Sequence, residues 1–198
     1  MKFDMTCSMM GKVLAGMVKS DIPDAAVRSK IQTAYREIVC RAKDIGSKNN
    51  LISSYLLAAF FIAMNRSTGL TPQENFEILE KGMRKSKLLK MFMGDSRGYF
   101  SEKHMQKRRR WSQDTYERKY ENDWLVDVIE GTEDFTFGFD YRECGVCKLC
   151  RDEGCPDLAK YLCRLDFMLV ELIGIHLERT MTLAEGCEKC DFRFSEQK

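Results

Sequence analysis

Seven of the nine cysteines in this 198-residue chain lie between residues 143 and 194, together with one of its two histidines. They are Cys144, Cys147, Cys150, Cys155, Cys163, Cys187 and Cys190. A thiol can be a nucleophile, a metal ligand or half of a disulfide, so function should be sought in this stretch. An odd number of cysteines, at a density below that of a disulfide scaffold, predicts reduced thiols and a cytoplasmic protein.

Cys163 and Asp166 stand three residues apart on a predicted helix, so they share one face of it with Leu162 and Leu165. A carboxylate within an apolar stripe needs a partner, and one turn from a thiol it can act as a general base or orient a water molecule. The spacing leaves open the alternative of a packed thiol beside an aspartate that only pairs or caps. We expect Cys163 and Asp166 to act together.

Arg179 lies on a predicted strand, residues 175–183, whose alternation places it on an apolar face with Leu177. An arginine in that position needs an anion, because an unpaired buried charge is costly. Asp166, Asp191 or the carboxylate of a ligand could supply it. We expect Arg179 to bind the carboxylate of a substrate.

Alternation along the last predicted strand, residues 190–194, points Cys190 inward on the same face as Phe192 and Phe194. Cys190 is then expected to face the helix that carries the thiol and the aspartate. His176, at the start of the preceding strand, is expected to face solvent.

Two cysteine spacings come close to metal-binding patterns. The first four cysteines of the stretch miss an iron–sulfur spacing by one residue. The pair Cys144 and Cys147 and the pair Cys187 and Cys190 could share a zinc ion, but a long predicted helix and a strand separate them. We expect no metal and no cofactor, with zinc as the alternative.

The elements that must position these residues follow from the apolar periodicity. Helical spacing predicts helices over residues 23–45, 50–66, 72–90, 101–120, 143–153 and 156–174. Alternation predicts strands over residues 124–130, 135–140, 175–183 and 190–194. The predicted fold class is α+β: a helical N-terminal half packed on a small antiparallel sheet, with helices inserted between two strand pairs. We expect a single domain over residues 1–198, with a helical scaffold in 1–120 and the sheet, inserted helices and site in 123–195.

Charge and apolar runs narrow the classes of partner. The formal net charge is +2, and the densest basic run, residues 107–110, is expected to be a solvated helix face. The longest apolar run, residues 55–64, is roughly half of the ~20 residues that a membrane span needs, and the N-terminus has no export signal. We therefore expect no nucleic acid and no membrane as partners, and leave a homo-oligomer open.

Three motifs in the cysteine-rich stretch resemble one family. They are Gly154-Cys-Pro-Asp-Leu-Ala-Lys-Tyr-Leu-Cys-Arg-Leu-Asp166, Arg179-Thr-Met-Thr-Leu-Ala-Glu-Gly186 and Cys190-Asp-Phe-Arg-Phe194. Together they look like the C-terminal signature of the L-2-amino-thiazoline-4-carboxylic acid hydrolase family. The resemblance implies hydrolytic opening of a 2-aminothiazoline-4-carboxylate ring, or of a related small cyclic substrate, to N-carbamoyl-L-cysteine in bacterial cysteine metabolism.

This chemistry requires a general base, a nucleophile or a positioned water, and a cation for the substrate carboxylate. The expected catalytic residues are Cys163, Asp166 and Cys190, and the expected substrate-binding residues are Arg179, Thr182, Glu185 and Asp191. Whether a thiol or a water molecule attacks is left open.

Two other classes of function fit the same pattern. A helical half over a small sheet with an inward cysteine also resembles the vinyl-reductase-type domains, which implies a non-enzymatic sensor of small molecules. A cysteine-rich module that binds zinc or an iron–sulfur cluster and uses its basic helix for interaction is the third class. Turnover of the thiazoline separates the enzyme from both, and elemental analysis tests the third.

Overall fold

The computed structural model describes residues 1–46 and 48–196. Its α-helices are α1 Met5–Val18, α2 Ala25–Arg41, α3 Ile52–Ser67, α4 Pro72–Lys85, α5 Lys87–Met93, α6 Ser96–Tyr99, α7 Glu102–Thr115, α8 Gly145–Asp152 and α9 Ala159–Glu171. Its strands are β1 Leu125–Glu130, β2 Phe137–Glu143, β3 Ile175–Glu178 and β4 Cys190–Glu196. Single 3-10 turns cover Pro156–Leu158 and Leu183–Glu185.

The contacts divide the chain into two compact units. Unit 1 comprises Met1–Ser86, Tyr120–Asn122 and Gly145–Leu162, and unit 2 comprises Lys87–Lys119, Asp123–Cys144 and the chain from Cys163 on. Unit 1 therefore holds α1 to α4 and α8, while unit 2 holds α5 to α7 and the whole sheet. All seven expected site residues belong to unit 2. The expectation of a single domain stays a prediction.

Helix α3 is the centre of unit 1 because it is apolar on every side. Tyr55, Leu56 and residues 58–64 are all buried, and α1, α2, α4 and α8 each contact this helix. A helix of such composition is stable only where protein surrounds it. The predicted helix over residues 50–66 is confirmed, and the structure makes it the buried core helix of unit 1.

Side-chain caps set where the helices of unit 1 begin. A capping box is present at α4, where Thr71 accepts a hydrogen bond from the backbone of Glu74 and the Glu74 carboxylate accepts one from the backbone of Thr71. Three predicted helix ends are wrong by four residues or more, and one of them lies in unit 2, where the predicted helix 101–120 ends at Thr115. The predicted helix 23–45 ends at Arg41 because Ala42 is extended, and the predicted helix 72–90 is interrupted at Ser86, which is also extended.

The sheet of unit 2 is antiparallel throughout, in the order β1-β2-β4-β3. Its register pairs aromatic side chains across β2 and β4: Phe137 with Phe194, and Phe139 with Phe192. These rings pack on one face, and Phe137 and Phe194 stack at a centroid distance of 5.1 Å. Polar residues take the other face, since side chains alternate along a strand.

The predicted α+β class is confirmed. No strand precedes Leu125 in the described residues, and α8 and α9 lie between the strand pairs in chain order. The predicted strand 175–183 is too long, because β3 ends at Glu178. Among the described residues, no helix is long and apolar enough to span a bilayer.

Two helix glycines in unit 1 give a matched test of its packing. A Cβ on Gly82 of α4 would lie 2.4 Å from the carbonyl oxygen of Met17, so α1 and α4 approach each other through this glycine, whereas a Cβ on Gly16 would meet nothing within 4 Å. We expect Gly82→Ala to lower the free energy of unfolding by about 1–3 kcal/mol. Gly16→Ala should raise it by about 0.5–1 kcal/mol through helix propensity. Urea denaturation of both variants measures the difference, and equal effects would contradict the close approach.

Candidate active site

An ion pair between Arg179 and Asp166 lies at the centre of the expected site. Arg179 Nη1 donates to Asp166 Oδ2 at 2.6 Å, and Nη2 donates to the carbonyl oxygen of Cys163 at 2.9 Å. The guanidinium also lies over the rings of Phe167, at 4.8 Å, and Phe192, at 5.0 Å. The Arg179 side chain is only 5% exposed. Asp166 is thus one of the three anions expected for this arginine, and a role of Arg179 in binding a substrate carboxylate stays a prediction.

Asp191 explains why the strand before it ends early. Its Oδ1 accepts hydrogen bonds from the backbone N–H groups of Thr180, at 2.9 Å, and Met181, at 2.6 Å, and its Oδ2 accepts one from the Thr180 hydroxyl. A carboxylate that binds these N–H groups competes with a regular strand ladder. The chain therefore leaves the sheet after Glu178, and Arg179 lies on a loop braced by Asp191 rather than on a strand.

The remainder of that loop is held by its own side chains. The Thr182 hydroxyl donates to Glu185 Oε2 at 2.8 Å, and the backbone N–H of Leu183 donates to Cys190 Sγ at 3.2 Å. Gly186 adopts a left-handed conformation, φ 86°, which closes the 3-10 turn. The bonds of Thr182, Glu185 and Asp191 are thus within the loop, and a role in substrate binding stays a prediction for all three.

Burial weakens the acidity of the two expected catalytic thiols. Burial raises the pKa of Cys163 well above its ordinary value, and the neighbouring charge of Asp166 adds to the increase. Burial likewise raises the pKa of Cys190 to about 11, although the hydrogen bond from Leu183 opposes the change. As expected, Cys190 is buried on the aromatic face of the sheet. Both thiols are protonated near neutral pH.

The environment of Asp166 favours proton transfer. Desolvation raises the pKa of its carboxyl group to about 6, although the charge and the hydrogen bond of Arg179 oppose the increase. The side chain nevertheless remains 36% exposed. These observations together describe a carboxyl group surrounded by protein on most sides but open to water on one, which suits a general base near neutral pH.

Sequence reasoning missed two tyrosines beside these groups, Tyr99 and Tyr141, and considered the neighbouring Cys144 only as a possible metal ligand. Burial raises the pKa of Tyr141 strongly, and the charges of Tyr99, Asp166 and Cys144 add to the increase. Among the described residues, the Tyr141 hydroxyl has no hydrogen-bond partner. The only available signal was its alternation with the inward phenylalanines of β2, which is also the pattern of an ordinary core residue.

Arg108 departs from the solvated face expected for the basic run 107–110. Its guanidinium lies over the rings of Tyr99, at 4.1 Å, and Phe137, at 4.6 Å, and Nη1 donates to the Tyr99 carbonyl oxygen at 2.6 Å. No carboxylate in the described part of the chain lies within ion-pair distance of it. Burial lowers the pKa of Arg108, and the adjacent tyrosines oppose that decrease. It is therefore a partly desolvated cation on the aromatic side of unit 2.

The metal alternatives gain no support from the geometry. Within residues 1–46 and 48–196, no three His, Cys, Asp or Glu side chains are placed to share a metal ion. No disulfide joins the cysteines. The expected lack of a metal or cofactor stays a prediction, and His176 is exposed as expected.

The comparisons with known proteins give a family. A family model for L-2-amino-thiazoline-4-carboxylic acid hydrolase matches residues 49–194, well over half of the chain. The chain belongs to this family. No curated protein and no solved structure matches it. The hydrolase family match spans all three motifs of the resemblance and every expected site residue.

The titration of Asp166 tests the electrostatics of the site. We expect its carboxyl carbon to titrate near pH 6 in an NMR experiment, with the signal identified by its loss in Asp166→Asn. Arg179→Gln should move the midpoint to higher pH, because the arginine charge favours the ionised carboxylate, while Arg179→Lys should largely preserve it. Arg109→Gln is the control, since Arg109 pairs with Glu130 at the surface. A midpoint that does not move in Arg179→Gln would contradict the pairing.

Proposed function

We propose that this chain hydrolyses 2-aminothiazoline-4-carboxylate, or a closely related cyclic amidine, to N-carbamoyl-L-cysteine, with Asp166 as the general base. One observation carries the proposal: a carboxyl group whose pKa is raised to about 6 lies on the motif that defines the family resemblance. A pKa near the working pH is what general base catalysis requires.

The reaction consumes one water molecule and breaks one ring bond. The Asp166 carboxylate takes a proton from a water molecule while the oxygen of that water molecule bonds to C2 of the ring, the amidine carbon. As the water oxygen adds, the electron pair of the C2–N π bond moves to the ring nitrogen, which takes the remaining proton of the water molecule. The tetrahedral adduct then collapses to the carbonyl, the C2–S bond breaks, and its electron pair leaves with sulfur. Sulfur takes the proton from Asp166, and C2 becomes the carbonyl carbon of the carbamoyl group. The base is restored in the same turnover.

The thiols favour the water route over a covalent route. A cysteine attacks as the thiolate, and burial keeps both Cys163 and Cys190 protonated. Arg179 does not reverse this effect, because its guanidinium is held by Asp166 and the Cys163 carbonyl. We therefore assign Cys163 and Cys190 to the wall of the site and Asp166 to the chemical step.

Two arginines divide the remaining roles in the proposal. Arg179 positions Asp166 and sets its pKa, which makes it a positioning residue. Arg108 is the better candidate for the substrate carboxylate, because it is partly desolvated and has no carboxylate partner in the described residues. A planar guanidinium over aromatic rings can offer two parallel N–H groups to a carboxylate.

Loss of the carboxylate base should abolish turnover. We expect Asp166→Asn to lower kcat by about 10²–10⁴-fold, measured as N-carbamoyl-L-cysteine by chromatography and mass spectrometry. The matched control is Asp157→Asn, an aspartate whose side chain is 91% exposed, which should keep wild-type turnover. Wild-type turnover in Asp166→Asn would remove Asp166 from the mechanism. Tight binding of the thiazoline by the wild-type protein without turnover would favour the sensor class instead.

The same assay separates the two chemical routes. On the water route, Cys163→Ser and Cys190→Ser each change kcat by only a few-fold, roughly, since neither sulfur reacts. A loss in Cys163→Ser as large as that in Asp166→Asn would instead make Cys163 the nucleophile.

Arg108 should control affinity for the carboxylate substrate. We expect Arg108→Gln to raise KM by about 10–100-fold, the value of a charge-assisted hydrogen bond, with Arg108→Lys intermediate. The neutral 4-carboxamide of the same ring should show little difference between wild type and Arg108→Gln. Arg109→Gln serves as the control on the next position of α7. An equal rise in KM for both ring compounds would show that Arg108 supports the fold rather than the carboxylate.

A further inference from the structure

We propose that Cys150 and Cys155 form a modification site, a pair of thiols that a hydroperoxide converts to an intramolecular disulfide. Both residues belong to unit 1 and take no part in the proposed hydrolysis.

The end of α8 brings the two side chains together. The backbone N–H of Cys155 donates to the Cys150 carbonyl oxygen at 2.8 Å, and that of Gly154 donates to Arg151 at 3.0 Å. Gly154 is left-handed, φ 70°. These two bonds form a Schellman motif, in which the side chains at the positions of Cys150 and Cys155 normally make an apolar contact. Here both of those residues are cysteines, so the same geometry brings two thiols together.

The two sulfur atoms differ in access. Cys155 is half-buried, so a small oxidant can reach it, whereas Cys150 is fully buried. Cys155 would therefore react first with peroxide, and the buried Cys150 would act as the resolving thiol. A partly exposed reactive thiol beside a second thiol is the usual arrangement of a redox-sensitive pair.

The charges around Cys155 favour its thiolate. The hydrogen bond from Cys150 lowers the pKa of Cys155, and the positive charge of Arg66 adds to the decrease, while burial and Glu153 oppose it. Arg66 is fixed in place because it donates to the Glu153 carboxylate at 2.6 Å and to the Glu153 carbonyl at 2.7 Å. This environment is opposite to that of Cys163 and Cys190, whose pKa values burial raises.

The oxidation balances with one hydroperoxide as the oxidant. The Cys155 thiolate attacks the terminal peroxide oxygen, the O–O bond breaks, and a sulfenic acid and an alkoxide or hydroxide form. The Cys150 sulfur then attacks the sulfenic sulfur, the S–O bond breaks, and water leaves with the proton of the Cys150 thiol. Two thiols and one hydroperoxide thus give one disulfide, one alcohol or water, and one further water. A dithiol reverses the change by exchange.

The test uses the full-length protein and hydrogen peroxide near stoichiometric amounts, followed by alkylation and trypsin. Cleavage after Lys148, Arg151 and Lys160 places the two cysteines on separate peptides, residues 149–151 and 152–160. We expect these peptides to be joined by a disulfide that a dithiol removes. The Cys155 thiol should also be lost about tenfold faster than the exposed Cys40.

Three variants distinguish selective oxidation of Cys150 and Cys155 from unselective oxidation of cysteines. Cys150→Ser should leave a sulfenic acid at Cys155 that a cyclic 1,3-dione traps, and Arg66→Gln should slow the reaction of Cys155. Cys40→Ser should form the same disulfide as the wild type. The proposal is overturned if the peptides are not joined, if Cys155 reacts no faster than Cys40, or if Cys150→Ser gives no trapped sulfenic acid. None of these results depends on thiazoline turnover.

Discussion

The buried charge of Arg179 is the constraint on which unit 2 depends. A guanidinium that is 5% exposed must be paired, because an isolated buried charge is very costly. Its partners come from separate elements: Asp166 and the Cys163 carbonyl from α9, and the ring of Phe192 from β4. One side chain therefore fixes the helix, the last strand and the loop that carries the arginine. The hydrogen bonds from this loop to the Asp191 carboxylate keep it out of the hydrogen-bonded strand ladder.

The same pair also sets the pKa of Asp166, as comparison with a second buried carboxylate shows. Burial raises the pKa of both Asp166 and Asp140, but Asp140 receives hydrogen bonds from two cations, Lys189 at 2.6 Å and Arg193 at 2.9 Å, and its net pKa is lowered. Asp166 has one cation, and its net pKa rises to about 6. A second paired cation thus helps to hold Asp140 ionised as a structural anion, whereas Asp166, with one, can exchange a proton near neutral pH.

The elements and the inward thiols could be predicted because they follow from periodicity. Helical spacing changes to alternation near Trp124. This change predicts where the sheet lies, that Cys190 faces inward and that Arg179 needs an anion. The end of β3 could not be predicted, since Asp191 acts through backbone N–H groups and leaves no periodic signal. Arg108 was missed for a related reason: in a run of four basic residues, only the tertiary fold decides which one lies over aromatic rings.

The family motifs describe how Asp166, the proposed base, is held more than which molecule it acts on. In the motif from Arg179 to Gly186, the threonines and the glutamate bond within the loop or to Asp191, and the arginine bonds to Asp166. Each of these groups thus already has a partner within the protein. In the proposed mechanism, the substrate carboxylate is bound by Arg108 on α7, which lies outside the motifs. Two chains could therefore share the motifs, keep the same carboxylate base and still act on different cyclic amidines.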